Sequence, residues 1–389
     1  MKRKHLFLLL GLFFAIVFTS VTYAVQMQPR MVATTQGDET IEQRLDDPLF
    51  TLEVAFPLDL RVVASDRDYL TIQGPKKLLR KVVVTTKGLE LRIRGHKSFW
   101  GNKFRGRLTG TLYTSDPNML SELRLSSASK VISETIMRVT MFDLDMSGAS
   151  TFVGEVHCNN ADVKLNGASH ARIKGNSGVL KVNQSGASKF VIEGECSELL
   201  LGIWGASLFD GKQLMAYRAD MEVGGASKAY VAAQSPGKVN VMGSAHLEMP
   251  LVSRQGEGAE EVKIKVIGSS SFVGSCFAHH ADIEVSGSSS LKLNGIFGKA
   301  DVEVSGASKV SLSGRCDRFE AEVSGSSKLD AERFISRAVD IDVSSSAKAV
   351  VHATESLNAD VSSSGKLDYI GNPRHRSLEQ SGGGKVGRK

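Results

Sequence analysis

A short turn phrase of Ser, Gly and Ala recurs along most of the chain at nearly constant spacing. Its clearest copies are Ser147–Ser150, Asn166–Ser169 and Ser185–Ser188. Fourteen copies are recognisable, and they centre on Ser127, Gly148, Gly167, Gly186, Gly205, Gly225, Gly243, Gly268, Gly287, Gly306, Gly325, Ser345, Ser363 and Gly382. A fixed period of about 20 residues indicates a solenoid, in which each repeat packs only against its neighbours.

The order of the intervals indicates a duplication. Each copy from Gly148 to Gly243 has a partner 120 residues later, and Cys196 and Cys316 have the same offset. A longer interval separates the two series and contains Pro250 and the polar stretch 253–261, which we interpret as a loop. The sequence therefore predicts two six-rung blocks in tandem.

Within each period, apolar and polar residues alternate. Ala161–Leu165, Ala281–Val285 and Ala300–Val304 show this clearly, and alternation of this kind is typical of a strand with one buried face. Copies stacked at about 4.8 Å would pair their backbones and close a continuous apolar core. We predict an all-β, single-chain β-solenoid with a strand-rich N-terminal region, and we expect right-handed winding.

The first residues resemble an export signal. Lys2, Arg3 and Lys4 precede the apolar run 6–17, and Thr22-Tyr23-Ala24 fits a cleavage site. An uncleaved anchor is the alternative, although the run is shorter than the roughly 20 residues of a membrane span. We divide the chain into a signal peptide (1–24), a linker (25–48), a domain with the N-terminal β region and the first block (49–250), and the second block (251–389). The expected location is the periplasm, the outer-membrane surface or the extracellular space.

The net charge of +6 does not indicate a nucleic-acid partner. The basic residues at positions 2–4 carry +3 and the segment 371–389 carries +4, so the rest of the chain is close to neutral. A neutral body has no need of a phosphate-binding surface, and we expect no nucleic-acid partner.

These residues resemble the bacterial family called putative auto-transporter adhesin head GIN domain. The turns described above contribute to the resemblance, as do five further segments: Phe50–Val54, Leu70–Gly74, Gly88–Ile93, Tyr369–Pro373 and Ser381–Val386. The resemblance implies a β-helix of the pectin-lyase type without retained catalytic residues, and a role in adhesion.

No motif for catalysis or for a cofactor is found in the sequence. It has no P-loop, dinucleotide fingerprint, nucleophile elbow or zincin motif. Cys158, Cys196, Cys276 and Cys316 lack metal-ligand spacing, and stacking would place them too far apart for disulfides, so we expect free thiols. The pair His279-His280 points to opposite faces of a strand and is a poor pair of ligands. We predict no catalytic, cofactor or metal site.

Charged residues flank the turns in a regular way. Acidic residues lie three positions before the turn centre, and lysines lie three positions after it. The acidic residues are Glu222, Glu284, Glu303, Glu322, Asp342 and Asp360, and the lysines are Lys189, Lys228, Lys309, Lys328, Lys348 and Lys366. A β-helix hydrolase or lyase would also carry acids on one face. Because these acids recur at the same position in many rungs, we interpret them, together with the lysines, as a solvated acid–base ladder across the turns.

Breaks in the repeat are better candidates for a ligand site. Trp204 replaces the Ser before Gly205, and the loop 97–105 carries Phe99, Trp100 and Phe104 among basic residues. Aromatic and basic side chains together suit stacking on a sugar or contact with a partner, and the alternative is that these aromatics cap the end of the solenoid.

The sequence thus favours an exported, non-enzymatic binding protein, an adhesin with a glycan or a protein at a cell surface as its partner. A carbohydrate-active β-helix enzyme and an envelope scaffold are the alternatives, and homo-oligomerisation stays open.

Overall fold

A computed structural model describes residues 30–33, 38–96, 107–250 and 258–389. The chain is nearly all β and winds as a β-solenoid of about 14 turns. This confirms the predicted fold class and agrees with the fourteen turn copies in the sequence. The predicted signal peptide lies outside the described residues.

The strands begin and end as follows: β1 Arg30–Ala33, β2 Asp38–Arg44, β3 Thr51–Ala55, β4 Leu58–Ala64, β5 Tyr69–Pro75, β6 Val82–Lys87, β7 Glu90–Gly95, β8 Leu108–Thr114, β9 Glu122–Ser126, β10 Lys130–Met146, β11 Thr151–Leu165, β12 His170–Lys174, β13 Ser177–Gln184, β14 Lys189–Ile203, β15 Leu208–Val223, β16 Lys228–Gly243, β17 His246–Met249, β18 Ala259–Gly268, β19 Ser271–Val285, β20 Ser290–Val304, β21 Lys309–Val323, β22 Lys328–Val343, β23 Lys348–Val361, β24 Lys366–Ile370, β25 His375–Gln380 and β26 Lys385–Arg388. One helical turn, α1, spans Lys76–Leu79, and a 3₁₀ turn spans Pro117–Met119.

The N-terminal region is an antiparallel cap on the first rungs. Strands β1, β2, β5 and β8 pair antiparallel in that order, and β6 pairs antiparallel with β7. Strands β7 and β8 then pair in parallel with β3 and β4, which in turn pair in parallel with β9 and β10. The cap therefore passes into the solenoid without a break in hydrogen bonding.

From β10 onward, successive rungs pair in parallel and in register. Lys309 lies beside Lys328, and Lys328 beside Lys348, so equivalent residues form columns along the solenoid. The apolar residues of each strand point inward, and their burial alternates along β21 as the sequence predicted. Aromatic rings pack against each other in this core: the Phe319 ring lies edge-on to the Phe334 ring, with centroids 5.3 Å apart.

The turn phrase forms one corner of each rung. The corner glycines have positive φ, as at Gly306 (+73°), where a side chain is disfavoured. The carbonyl oxygen of Gly287 accepts a hydrogen bond of 2.7 Å from the Ala307 N–H of the next rung. The last Ser of the phrase is buried, and the Ser289 hydroxyl donates to the Ser286 carbonyl at 2.8 Å. Stacked glycine corners are thus part of the rung-to-rung bonding.

The two blocks form one continuous stack. Strand β16 pairs with β17 and β18, and both of these pair with β19. The loop expected over 253–261 is shorter than predicted, because Ala259 and Glu261 pair with Ala278 and His280 as the start of β18. The two-block division itself stays a proposal.

The segment predicted as a linker contains strands. Within 25–48, β2 pairs along its whole length with β5 and buries Ile41. Pairing with β5 gives this segment its strand structure although it has few apolar residues, which is why its sequence resembles a linker.

Candidate functional site

A polar groove of about 470 Å³ lies on the outer face of the sheet near the N-terminal end. Strands β4, β5, β8 and β10 form its floor. Its lining residues are Asp59, Leu60, Arg61, Thr71, Gln73, Thr109, Gly110, Thr111, Tyr113, Lys130 and Ile132. We call it the N-terminal groove.

Strand alternation places these polar side chains together. On β8, Leu108 and Leu112 are buried, and Thr109, Thr111 and Tyr113 alternate with the buried positions and face outward. In the paired strands, Thr71 lies beside Thr111, which also lies beside Arg61. The groove is therefore one outer surface shared by neighbouring strands, with hydroxyl, amide, carboxylate and cationic groups side by side.

An aromatic pair lies at the end of the groove. The Tyr69 and Tyr113 rings stack with centroids 4.1 Å apart and planes inclined by 11°. Burial raises the pKa of the Tyr69 phenol, and the neighbouring Tyr113 raises it further. The Tyr69 ring therefore packs against one side of Tyr113 and restricts the orientation of the ring that lines the groove.

The charged groups of the groove are largely compensated. The Asp59 carboxylate forms an ion pair with Arg107 at 2.6 Å, and Arg61 forms one with Glu134 at 3.4 Å. Asp59 is the single carboxylate among the described lining residues. A glycoside hydrolase uses two carboxyl groups across the bond that it cleaves. The hydroxyl and amide groups that line this groove can donate and accept hydrogen bonds.

The predicted ligand residues lie in two places. Phe99, Trp100 and Phe104 fall outside the described residues, in the segment that joins β7 to β8 in sequence. Trp204 is described, and its side chain is 45% exposed at the corner after β14. It does not line the N-terminal groove, so the structure does not bring Trp204 to that site.

Trp204 packs over the corner of the next rung. A side chain at Gly224 would come within 2.2 Å of the indole ring, so the missing side chain at Gly224 makes room for it. Other rungs place Ser at this position, as at Ser305 and Ser324. Trp204 and Gly224 are therefore matched, which gives the tryptophan a packing role in addition to its exposed face.

The cysteines are free thiols, as expected. Burial raises the pKa of Cys196 and Cys276 to about 12, and that of Cys158 to about 11. Thiols with such high pKa values are poor nucleophiles and poor metal ligands at neutral pH.

The described residues hold no cluster of three or more His, Cys, Asp or Glu side chains placed to bind a metal ion. His280, one of the adjacent histidines, instead bonds through Nε2 to Asp301 at 2.8 Å. Within the same described part of the chain, no helix has the length and apolar character needed to cross a membrane.

The sequence matches the family described as "Putative auto-transporter adhesin, head GIN domain" over residues 50–250 and again over 263–373. The chain belongs to this family. The interval between the two matched segments lies near the proposed seam between the blocks. No curated protein matches the chain significantly.

Several solved structures are similar to the chain. A putative adhesin from Parabacteroides distasonis is 12% identical, covers 90% of this chain and 97% of its own, and has a TM-score of 0.29. A putative adhesin from Bacteroides fragilis is also 12% identical, covers 92% and 100%, and has a TM-score of 0.21. A putative lipid binding protein from P. distasonis is 14% identical, covers 92% and 99%, and has a TM-score of 0.21.

Sequence reasoning missed the N-terminal groove. Its residues come from β4, β5, β8 and β10, which are up to about 70 positions apart, and no local motif joins them. A usable signal was the run of outward-facing Thr and Tyr residues in Leu108–Thr114, next to the aromatic loop that sequence reasoning did select.

Proposed function

We propose that this GIN-domain protein is an exported, non-enzymatic adhesin that binds surface glycans in the N-terminal groove. The observation that carries the proposal is the Tyr113 ring, stacked on Tyr69, beside a row of hydroxyl, amide and charged side chains. An aromatic face packs against the C–H surface of a sugar ring, and the polar groups bond to its hydroxyls. Family membership supports a binding role.

The position of the groove supports the same function. It lies where the antiparallel cap meets the solenoid, outside the regular corner pattern of the two blocks. The predicted ligand residues Phe99, Trp100 and Phe104 immediately precede β8 in the chain, and we propose that they contribute to the same site.

A glycan array followed by titration of the best-binding glycan tests the proposal. Tyr113→Ala should weaken binding about fivefold or more, because a stacked ring in a site contributes about 1 kcal/mol beyond the apolar area that it buries. Thr109→Val keeps the side-chain shape and removes one hydroxyl, so it should weaken binding without changing the fold. Tyr217→Ala is the matched control, since Tyr217 is 65% exposed and lies away from the groove.

The outcomes separate the three functions. Binding that is lost with Tyr113→Ala and retained with Tyr217→Ala supports the adhesin. Release of reducing sugar from any polysaccharide, abolished by substituting solenoid carboxylates, would establish the enzyme instead. Absence of glycan binding, together with capture of one envelope protein, would favour the scaffold and overturn the proposal.

A further inference from the structure

The last five complete corners of the solenoid carry a regular pattern of charge. In each, an acidic residue lies three positions before the corner and a lysine lies three positions after it. The acidic column is Glu303, Glu322, Asp342, Asp360 and Glu379, and the lysine column is Lys309, Lys328, Lys348, Lys366 and Lys385. Parallel pairing aligns each column in register along the solenoid.

Both columns are exposed, and they do not neutralise each other. Among the described residues, no acidic group of this column forms an ion pair within 4 Å with the lysine column, and Lys366 bonds instead to Asp368 at 2.8 Å. The expected acid–base ladder within one molecule is therefore not formed by direct ion pairs. Each column stacks like charges at about 4.8 Å, an arrangement that is unfavourable in isolation.

The solenoid does not need this pattern in order to stack. In the first block the equivalent positions before the corner include Lys164, Asn183 and Gly202, and those after it include Thr151 and Leu208. These rungs pair in parallel in the same way. The regular columns of the second block are thus an addition to a fold that forms without them.

We propose that a second copy of this chain docks along this corner, so that the acidic column of each copy lies against the lysine column of the other. All columns share the rung spacing, so the two ladders stay in step over five rungs. Between the columns, the corner consists of small residues such as Ser324, Gly325 and Ser326, which lets two corners approach closely. Complementary charge fixes the register and orientation of such a contact.

The charge pattern also selects the orientation of the two copies. When two corners face each other across a two-fold axis parallel to the solenoid, each acidic column meets a lysine column. When one copy is reversed end to end, acid meets acid and lysine meets lysine. The dimer is therefore parallel and isologous, with both ladders related by the same axis.

The pKa of Asp342 is raised, as expected for an acidic column that has no cationic partner among the described residues of the single chain. Partial desolvation at the sheet surface raises the pKa of this carboxyl, and Asp360, Asp340 and Glu322 raise it further. An opposing lysine column would lower it.

Sedimentation velocity of the purified chain tests the dimer, which does not depend on glycan binding. Dimers should form at low salt and dissociate in about 1 M NaCl, where the Debye length is about 3 Å. The triple variant Lys309→Glu, Lys328→Glu, Lys348→Glu should be monomeric, and so should Glu303→Lys, Glu322→Lys, Asp342→Lys. The matched control Arg138→Glu, Lys174→Glu, Arg315→Glu changes three exposed cations away from the corner and should still dimerise.

Mixing the two triple variants tests whether complementary charge holds the two copies together. In the parallel dimer both ladders regain opposite charges, so a one-to-one heterodimer should appear. A chain that is monomeric at low salt, a dimer insensitive to both salt and charge reversal, or two variants that fail to recombine would each overturn the proposal.

Discussion

Replacing Gly306 with Ala adds one Cβ atom to a corner and tests how tightly the corners of adjacent rungs stack. Gly306 has φ of +73°, a conformation that L residues with a side chain rarely adopt. A Cβ at this position would lie 2.5 Å from the carbonyl oxygen of Gly287. That oxygen accepts the 2.7 Å hydrogen bond from Ala307, so it cannot move away without weakening the bond between rungs.

Two costs add up in the variant. The left-handed conformation costs a residue with a side chain about 1–2 kcal/mol. Relieving the contact weakens one backbone hydrogen bond, which contributes about 0.5–1.5 kcal/mol. We therefore expect Gly306→Ala to lower the free energy of unfolding by about 1.5–3.5 kcal/mol.

Urea unfolding measures this loss. The midpoint should fall at unchanged slope, because the same surface is exposed on unfolding. Ala307→Ser is the matched control at the same corner, since Ser288 and Ser326 occupy the equivalent positions of the adjacent rungs. Ser345 already has φ of +57°, so Ser345→Gly should be stabilising. A loss below about 0.5 kcal/mol for Gly306→Ala would refute the reasoning.

Three further predictions follow from the core, the thiols and the acidic column. Phe319 is fully buried against Phe334, so Phe319→Ala should cost about 3–5 kcal/mol in urea unfolding; a loss under about 1 kcal/mol would contradict the assigned core. Burial raises the pKa of Cys196 and Cys276 to about 12, so both thiols should react with iodoacetamide at pH 8 far more slowly in the native than in the unfolded chain. Equal reaction rates in the two states would exclude their burial. The pKa of Asp342 is raised above that of the unfolded chain, so stability is lost as pH rises from the unfolded pKa through the folded pKa. Asp342→Asn should therefore raise the thermal unfolding midpoint of dilute protein at pH 7. This gain should vanish in acid, where the carboxyl is protonated in both the folded and the unfolded chain. A lower midpoint for the variant at pH 7 would contradict the raised pKa of Asp342.

The solenoid was predictable because its signals are local and repeated. The Ser-Gly-Ala-Ser phrase places glycine where φ is positive, and alternation such as Ala300–Val304 marks the buried face. Each copy repeats the same information, so the number of turns could be read from the sequence. Strand β2 was missed because it depends on β5, which lies about 30 residues further along the chain.

The N-terminal groove was not predictable in the same way. Thr71, Thr111 and Arg61 become neighbours through one antiparallel and one parallel pairing in the cap, where no repeat fixes the register. The charged columns were visible in the sequence, but their lack of mutual ion pairs depends on the distance across each corner. That distance follows from how sharply the backbone turns at residues such as Gly325.

A crystal structure of the chain with the glycan selected on the array tests the proposed function most directly. The account predicts a sugar ring against Tyr113, with its hydroxyls bonded to Thr109 and Thr111. A glycan bound on the rungs of the second block, or a cleaved product in a cleft with paired carboxylates, would contradict it.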